Sequence, residues 1–339
     1  MSIAGVGSVL TSAPIVALRI VESGRVITMP DRGECLIGSS PDCAVQLPTN
    51  ARVAGRHARL VNDGAECAIH DLGSDAGTWI DGVRVRSRVL VPGTEIRIGG
   101  VVVAAESMAT LSVLRMVECL VGFGAKRRAA VARATRGVIE FARGRSALVL
   151  VGRGELAGIA AGFHRLLVGA EHPFVVVEPG GRLARGVAGT VCMEARSLRS
   201  ASDPVVERAQ GADVRFVICA PTLKAAGLSL RLGRVAAVEV APLEERRREL
   251  ARIIEERALD AAAELDQAST GLDRQDRALL GVQSYRSFAH LDETVRRLVA
   301  IRTLGVTRGA GRLGLTHSAL SQWGQRHPVP RRGRGGRAR

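Results

Sequence analysis

Between Leu36 and Gly82 the chain alternates apolar and polar residues with a period of two, broken repeatedly by Gly, Asp and Ser. The run reads LIGSSPDCAVQLP, then VAGRHARL, then IHDLGSDAGTWIDG. A period of two puts one set of side chains on one face, which an extended strand does and a helix does not. Turn residues at this spacing predict that the segment folds into short antiparallel strands joined by exposed loops. Composition says how its core is built. Hydrophobic residues make up 46% of the chain and aromatics only 3%, so Val, Leu and Ala must fill the interior.

Order and wording of these segments resemble a forkhead-associated (FHA) domain, over roughly Ala17 to Ser107. That family usually docks phosphothreonine through the loops at one end of the sandwich. Its members carry Gly-Arg in the first loop, Ser-Arg ahead of a motif His, and Asn-Gly-Thr in the third loop. Here those places hold Gly38-Ser39, Ala54-Gly55 ahead of Arg56-His57, and Ala76-Gly77-Thr78. Phosphate recognition depends on charge-assisted, often bidentate bonds from Arg. The substitutions therefore imply a docking sandwich that has lost this grip. What could retain one is Arg56, with Ser39, Ser40, Ser74 and Thr78 as neutral donors. His57 is expected to brace the loop from within.

A chain of 339 residues allows two or three domains. No apolar run approaches the ~18 residues that span a bilayer, and the start lacks the basic segment of a signal peptide. The six cysteines are scattered without CxxC or Cys/His spacing, which predicts reduced, buried thiols, no metal and a cytoplasmic setting. A net charge of +15 favours a polyanionic partner, although a bias toward Arg, Ala, Gly and Val explains part of it.

Beyond the sandwich, a helix over Ala129–Phe141 leads to a buried strand at Ala147–Val151, the turn Gly152-Arg153-Gly154, a helix over Glu155–Leu167 and a strand ending at Val177. A phosphate loop needs GxxxxGK[ST], and this turn has neither the length, the Lys nor the hydroxyl. From about Leu120 to Arg257 the chain resembles the AAA+ domain of sigma-54-dependent enhancer-binding activators. The strands ending at Glu194-Ala195 and running over Val214–Ile218, the pair Arg231-Leu232 and the run Pro242-Leu243-Glu244-Glu245-Arg246-Arg247 carry that resemblance. One acid of the Walker B pair is replaced by Ala195; the sensor Asn falls near Pro221 and the arginine finger near Ala225. About a dozen residues separate Val177 from Gly189, leaving no room for a sigma-gripping loop. The domain is expected to bind no nucleotide and to catalyse nothing. Glu244–Leu265 is read as one charge-rich helix with a solvated face and an apolar stripe at Leu250, Ile253, Ile254, Leu259 and Ala261–Ala263.

Two helices are predicted over Asp292–Leu304 and Val306–Leu313, broken at Gly305, followed by a turn at Gly314-Leu315 and a helix through Gln325 capped by Thr316. The string VTRGAGRLGLTHSALSQWGQR is similar to the Fis-type helix-turn-helix of the same activators. That resemblance implies contact with double-stranded DNA: Thr316, His317, Ser318, Ser321 and Gln322 at the major groove, and Arg308, Arg312 and Arg326 on phosphates. Trp323 is expected to pack inward. The tail His327–Arg339, with five arginines among Gly and Pro, reads as disordered.

The expected class is multidomain α+β: an FHA-like sandwich at 15–108, a degenerate AAA+-like α/β domain at 118–265, a helical lid with helix-turn-helix at 272–326, and the basic tail at 327–339. The leading expectation is a DNA-binding transcriptional regulator without ATPase activity, cofactor or metal, and away from membranes. The rival is an FHA-type adaptor in Ser/Thr-kinase signalling, holding a protein partner through its loops, phosphorylated or not. Homo-oligomerisation stays open.

Overall fold

The computed structural model describes residues 13–49, 52–144, 146–154, 156–169, 171–178, 189–197, 214–226 and 235–327. Eleven strands build the sandwich. They are β1 (Ala17–Ile20), β2 (Val26–Thr28), β3 (Gly33–Gly38), β4 (Val45–Gln46), β5 (Ala58–Asn62), β6 (Cys67–Asp71), β7 (Thr78–Ile80), β8 (Val83–Val85), β9 (Ser87–Val89), β10 (Glu95–Ile98) and β11 (Val101–Glu106). One sheet has the order β2-β1-β11-β10-β7-β8 and the other β4-β3-β5-β6-β9. The period-two pattern is realised as expected: along β5, Ala58 and Leu60 are fully buried while Arg59 and Val61 are only partly covered. Leu18, Ile37, Ile69, Ile96 and Ile98 complete the aliphatic core. The Asp81-Gly82 turn, both residues at positive φ, closes the β7–β8 hairpin, the usual chemistry of a two-residue loop whose twist matches its strands.

A helix that the sequence reading did not foresee follows at once: α1 (Met108–Val121), started by a capping box between Ser107 and Thr110. Next, α2 (Arg128–Ala142) lies against a parallel sheet built from β12 (Ala147–Val151), β13 (Phe174–Val177), β14 (Gly189–Glu194), β15 (Val214–Ala220) and β16 (Val235–Glu239), with α3 (Leu156–Leu167) after β12. At the crossing, a Cβ on Gly137 would come 2.4 Å from that of Ala236, so the helix can approach this closely only with glycine there. The strand order is β13-β14-β15-β12-β16. Every pair is parallel. Such strands are covered on both faces and read as unbroken apolar runs, which is why Ala147–Val151 was legible. Arg136 pairs with Glu95, and Arg143 donates to the Pro92 carbonyl at 2.6 Å, tying α2 to the sandwich. Sandwich and parallel sheet accordingly form one compact unit, Met1–Gly152 with Ala160–Val240; Arg153–Ile159 and Ala241–Arg339 form the other.

In the second unit a 3-10 stretch (Leu243–Glu249) precedes α4 (Leu250–Glu264), α5 (Arg274–Val282), α6 (Phe288–Arg312) and α7 (His317–Arg326). Here the expected single solvated helix is corrected. The backbone is non-helical at Arg246, and Arg246, Arg257 and Asp260 are buried. Arg257 bridges Asp260 at 2.8 Å and Asp292 at 2.5 Å, so this part of the charge run holds α4 to α6. Leu259, placed in the apolar stripe, is 47% exposed. Gly305 bends α6 at φ 75°, where the break was predicted. Among the described residues no single helix is long and apolar enough to cross a membrane. Arg231-Leu232 and the tail from 328 lie outside the described residues.

Candidate functional site

The loops β3–β4, β4–β5 and β6–β7 meet at one end of the sandwich, and their backbones decide what is left for a ligand. Gly38 ends β3 with the β4–β5 loop pressed against it; a Cβ there would stand 2.0 Å from the Gly55 carbonyl oxygen. This contact lets the amides of Ser39 and Ser40 donate to the carbonyls of Ala54 and Gly55, both at 3.0 Å. The Ser39 hydroxyl donates to the Val53 carbonyl at 3.1 Å.

Beneath the loops sits a polar network centred on His57, which is fully buried. The Ala54 amide donates to its Nδ1 at 3.1 Å, so the ring proton resides on Nε2. Nε2 lies 2.8 Å from Ser74 Oγ and 3.2 Å from the Gly77 carbonyl. Ser74 and Thr78 both donate to Asp71 Oδ2 at 2.7 Å. The amides of Gly73 and Ser74 donate to Oδ1 at 2.9 Å. Burial lowers the pKa of His57 against the opposing pull of the Gly77 carbonyl and Asp71, which keeps the ring neutral. Burial pushes Asp71 up, but the bonds from Ser74, Thr78 and the two amides together hold it below the usual carboxylate range. His57 thus braces the loops, as expected.

The five residues singled out for phosphopeptide contact have other partners. Thr78 is fully buried and Ser74 nearly so, and both serve Asp71. Ser39 fastens two loops together. Ser40 and Arg56 both bond Asp42, which holds that exposed carboxyl below its ordinary range. Arg56 Nε lies 2.9 Å from Asp42 Oδ2, so its charge is already answered locally.

Beside this braced core opens a cleft of about 940 Å³, walled by Arg52–Ala54, by Asp75 and Ala76, and by Arg97 with the β10–β11 turn. Ala54 and Ala76 are the positions where the family resemblance would put Ser and Asn. Two arginines flank them instead, and the sequence reading named neither. Arg97 is exposed, stacks over Trp79 at 4.6 Å and donates to the Gly99 carbonyl at 3.3 Å. Trp79 itself donates to the Ala76 carbonyl at 2.9 Å. Arg52 is exposed and sits at φ 56°, a left-handed conformation that costs a non-glycine residue about 1–2 kcal/mol. Among the described residues neither Arg52 nor Arg97 has a carboxylate partner. Arg97 stands directly across from Trp79 on the neighbouring strand, a pairing that only the fold creates.

The helical hairpin takes the predicted shape. Thr316 caps α7 by accepting from the Ala319 amide at 3.2 Å, and Gly314 makes the turn at φ 67°. Arg308, His317, Ser318, Gln322 and Arg326 are exposed, whereas Ser321 is half-buried. Arg312 is paired with Asp266 at 2.5 Å, and the Thr316 oxygen is occupied by its cap. Trp323 is buried and stacks on His327 at 4.4 Å.

Residues 35–99 match the model of the FHA domain, so this segment carries an FHA domain. Over 78 residues the chain is 41% identical to FHA domain-containing protein FhaB of Mycobacterium tuberculosis, covering 23% of this chain and 49% of that protein. With FhaB of Mycolicibacterium smegmatis the identity is 42% over 82 residues, 24% of this chain and 52% of the other. The chain spans about half the length of these curated relatives. A solved structure from work on phosphothreonine-dependent FHA domain interactions is 28% identical, with TM-score 0.26, over 26% of this chain and 93% of that one.

Proposed function

We propose that this protein is a docking adaptor whose FHA domain receives a phosphorylated segment of a protein partner, in a signalling setting and without catalysis of its own. The observation that carries this reading is the FHA domain at 35–99, with its loops braced by the His57–Asp71 network beside an open cleft. It places the adaptor ahead of the DNA-binding regulator. The test is direct: the intact chain is presented with phosphothreonine peptides and their unphosphorylated twins. Phosphate-dependent binding is expected; equal binding to both members of every pair refutes the reading.

The α/β sheet is proposed as a packing scaffold. The turn after β12 is too short to cradle phosphates, and Glu194 at the end of β14 is paired with Arg196. ATP is expected to leave the melting temperature unchanged. Six buried thiols fit a cytoplasmic setting.

DNA binding through α7 is kept as a second reading because His317, Ser318 and Gln322 lie exposed at its start and middle. With Arg308 and Arg326 on phosphates, log affinity should fall against log salt with a slope of about −2. Binding unaffected by changing His317 and Gln322 to Ala would remove this reading.

A further inference from the structure

We propose that Arg52 and Arg97 form the anion grip of this FHA domain, taking the phosphate of a phosphopeptide into the cleft between them. The proposal rests on the docking reading above and assigns the residues that carry it. Three observations converge. First, the residues that the sequence offers for phosphate contact are engaged within the protein: Ser39 with Val53, Arg56 with Asp42, Ser74 and Thr78 with Asp71. Second, the cleft that contains Ala54 and Ala76 is flanked by two exposed guanidinium groups that have no carboxylate partner among the described residues. Third, Arg97 is held in place. Arg97 is fixed by the Trp79 ring below it and the Gly99 carbonyl beside it. Arg52 lines the same cleft from a left-handed backbone at φ 56°, a conformation that glycine would adopt without strain.

Guanidinium groups bind phosphate dianions through paired N–H donors, whereas the methyl groups of Ala54 and Ala76 offer an extended peptide none. The grip therefore reads charge more than backbone shape. Asp75, which also lines the cleft, opposes it. Affinity should fall as salt rises, and phosphoserine and phosphothreonine versions of one peptide should bind alike.

The experiment titrates the full chain with the best-bound peptide of a phosphothreonine array. Arg52→Gln and Arg97→Gln are each expected to weaken binding about tenfold or more, the scale for losing one charged partner. Asp75→Asn should tighten it and Arg56→Gln should leave it within about twofold, removing only a rim pair. Melting curves check that each variant folds. If the peptide still binds both arginine variants but is lost in Arg56→Gln, docking stands and the arginine assignment falls. If no peptide binds the unaltered chain in a phosphate-dependent way, both fall together.

Discussion

Replacing Asp71 by Ala should cost the sandwich about 3–5 kcal/mol, and the number can be worked from its bonds. The carboxylate accepts from Ser74 Oγ and Thr78 Oγ at 2.7 Å and from the Gly73 and Ser74 amides at 2.9 Å. The Gly73 amide lies in an exposed turn, where water replaces the lost acceptor. Three donors belong to buried residues, and each stranded group costs about 1–3 kcal/mol, less than additively because they share one acceptor. The loss is a large fraction of a typical domain stability of about 5–15 kcal/mol. The assay is urea unfolding followed by fluorescence. The chain has two tryptophans, so a Trp323→Phe background leaves Trp79, bonded to the Ala76 carbonyl, as the reporter of this end of the sandwich. With an urea slope of about 1–3 kcal/mol per molar, the midpoint should fall by more than about 1 M. Adding Ser74→Ala and Thr78→Val should restore part of the loss, because removing both partners of a buried bond strands nothing. A change below about 1 kcal/mol for Asp71→Ala, or a further loss in the triple variant, would refute the network as the brace of the loops.

His57 is neutral in the fold because burial lowers its pKa, so below the unfolded value of about 6.5 the unfolded chain binds the extra proton. Sandwich stability should therefore decline as pH drops from 6.5 toward the folded pKa, by at most about 1.4 kcal/mol per pH unit, and His57→Gln should flatten that limb in urea melts. Asp71 is held below its ordinary pKa, so its contribution, present above about 3.9, should disappear as pH falls through the folded value. In the helical unit, Arg302 pairs with the fully buried Asp276 at 2.5 Å; Arg302→Ala should cost about 3–5 kcal/mol on the Trp323 signal, while a cost under 1 would refute the pair's role. All six cysteines are buried, and burial pushes the Cys67 thiol up to about 11; thiol reagents should label none of them until denaturant is added, and rapid native labelling would contradict this.

What the sequence revealed divides along physical lines. Strands and turns came from local signals: alternation cut by Gly, Asp and Ser between Leu36 and Gly82, an apolar run for β12, Gly305 and Thr316 for a helix break and a cap. These depend on neighbours in the chain. The role of Glu244–Leu265 did not come, because Arg257 and Asp260 look solvated until Asp292, far along the chain, is seen to face them. α1 was missed because its buried residues (Val113, Met116, Val117, Leu120) leave little polar alternation for a periodicity to show. For the site, motif positions located the loops but not the chemistry. Ser39, Ser74 and Thr78 looked like donors to a ligand, and the fold turns all three toward carbonyls and a carboxylate.

The charge of the chain is a related case. An excess of +15 reads in sequence as an invitation to a polyanion. In the fold many arginines are structural: Arg19 is buried on Glu106, Arg257 spans Asp260 and Asp292, and Arg302 neutralises Asp276. A guanidinium already desolvated against a carboxylate adds little field outside the protein, so net charge overstates what a partner meets. What counts is an exposed arginine that lacks such a partner and is held in place. Arg97, stacked on Trp79 and bonded to the Gly99 carbonyl, meets that condition beside Arg52 at one cleft, whereas Arg312 on the hairpin is tied to Asp266. By that criterion the proposed anion grip rests on these particular residues of the FHA cleft and not on the net charge of the chain.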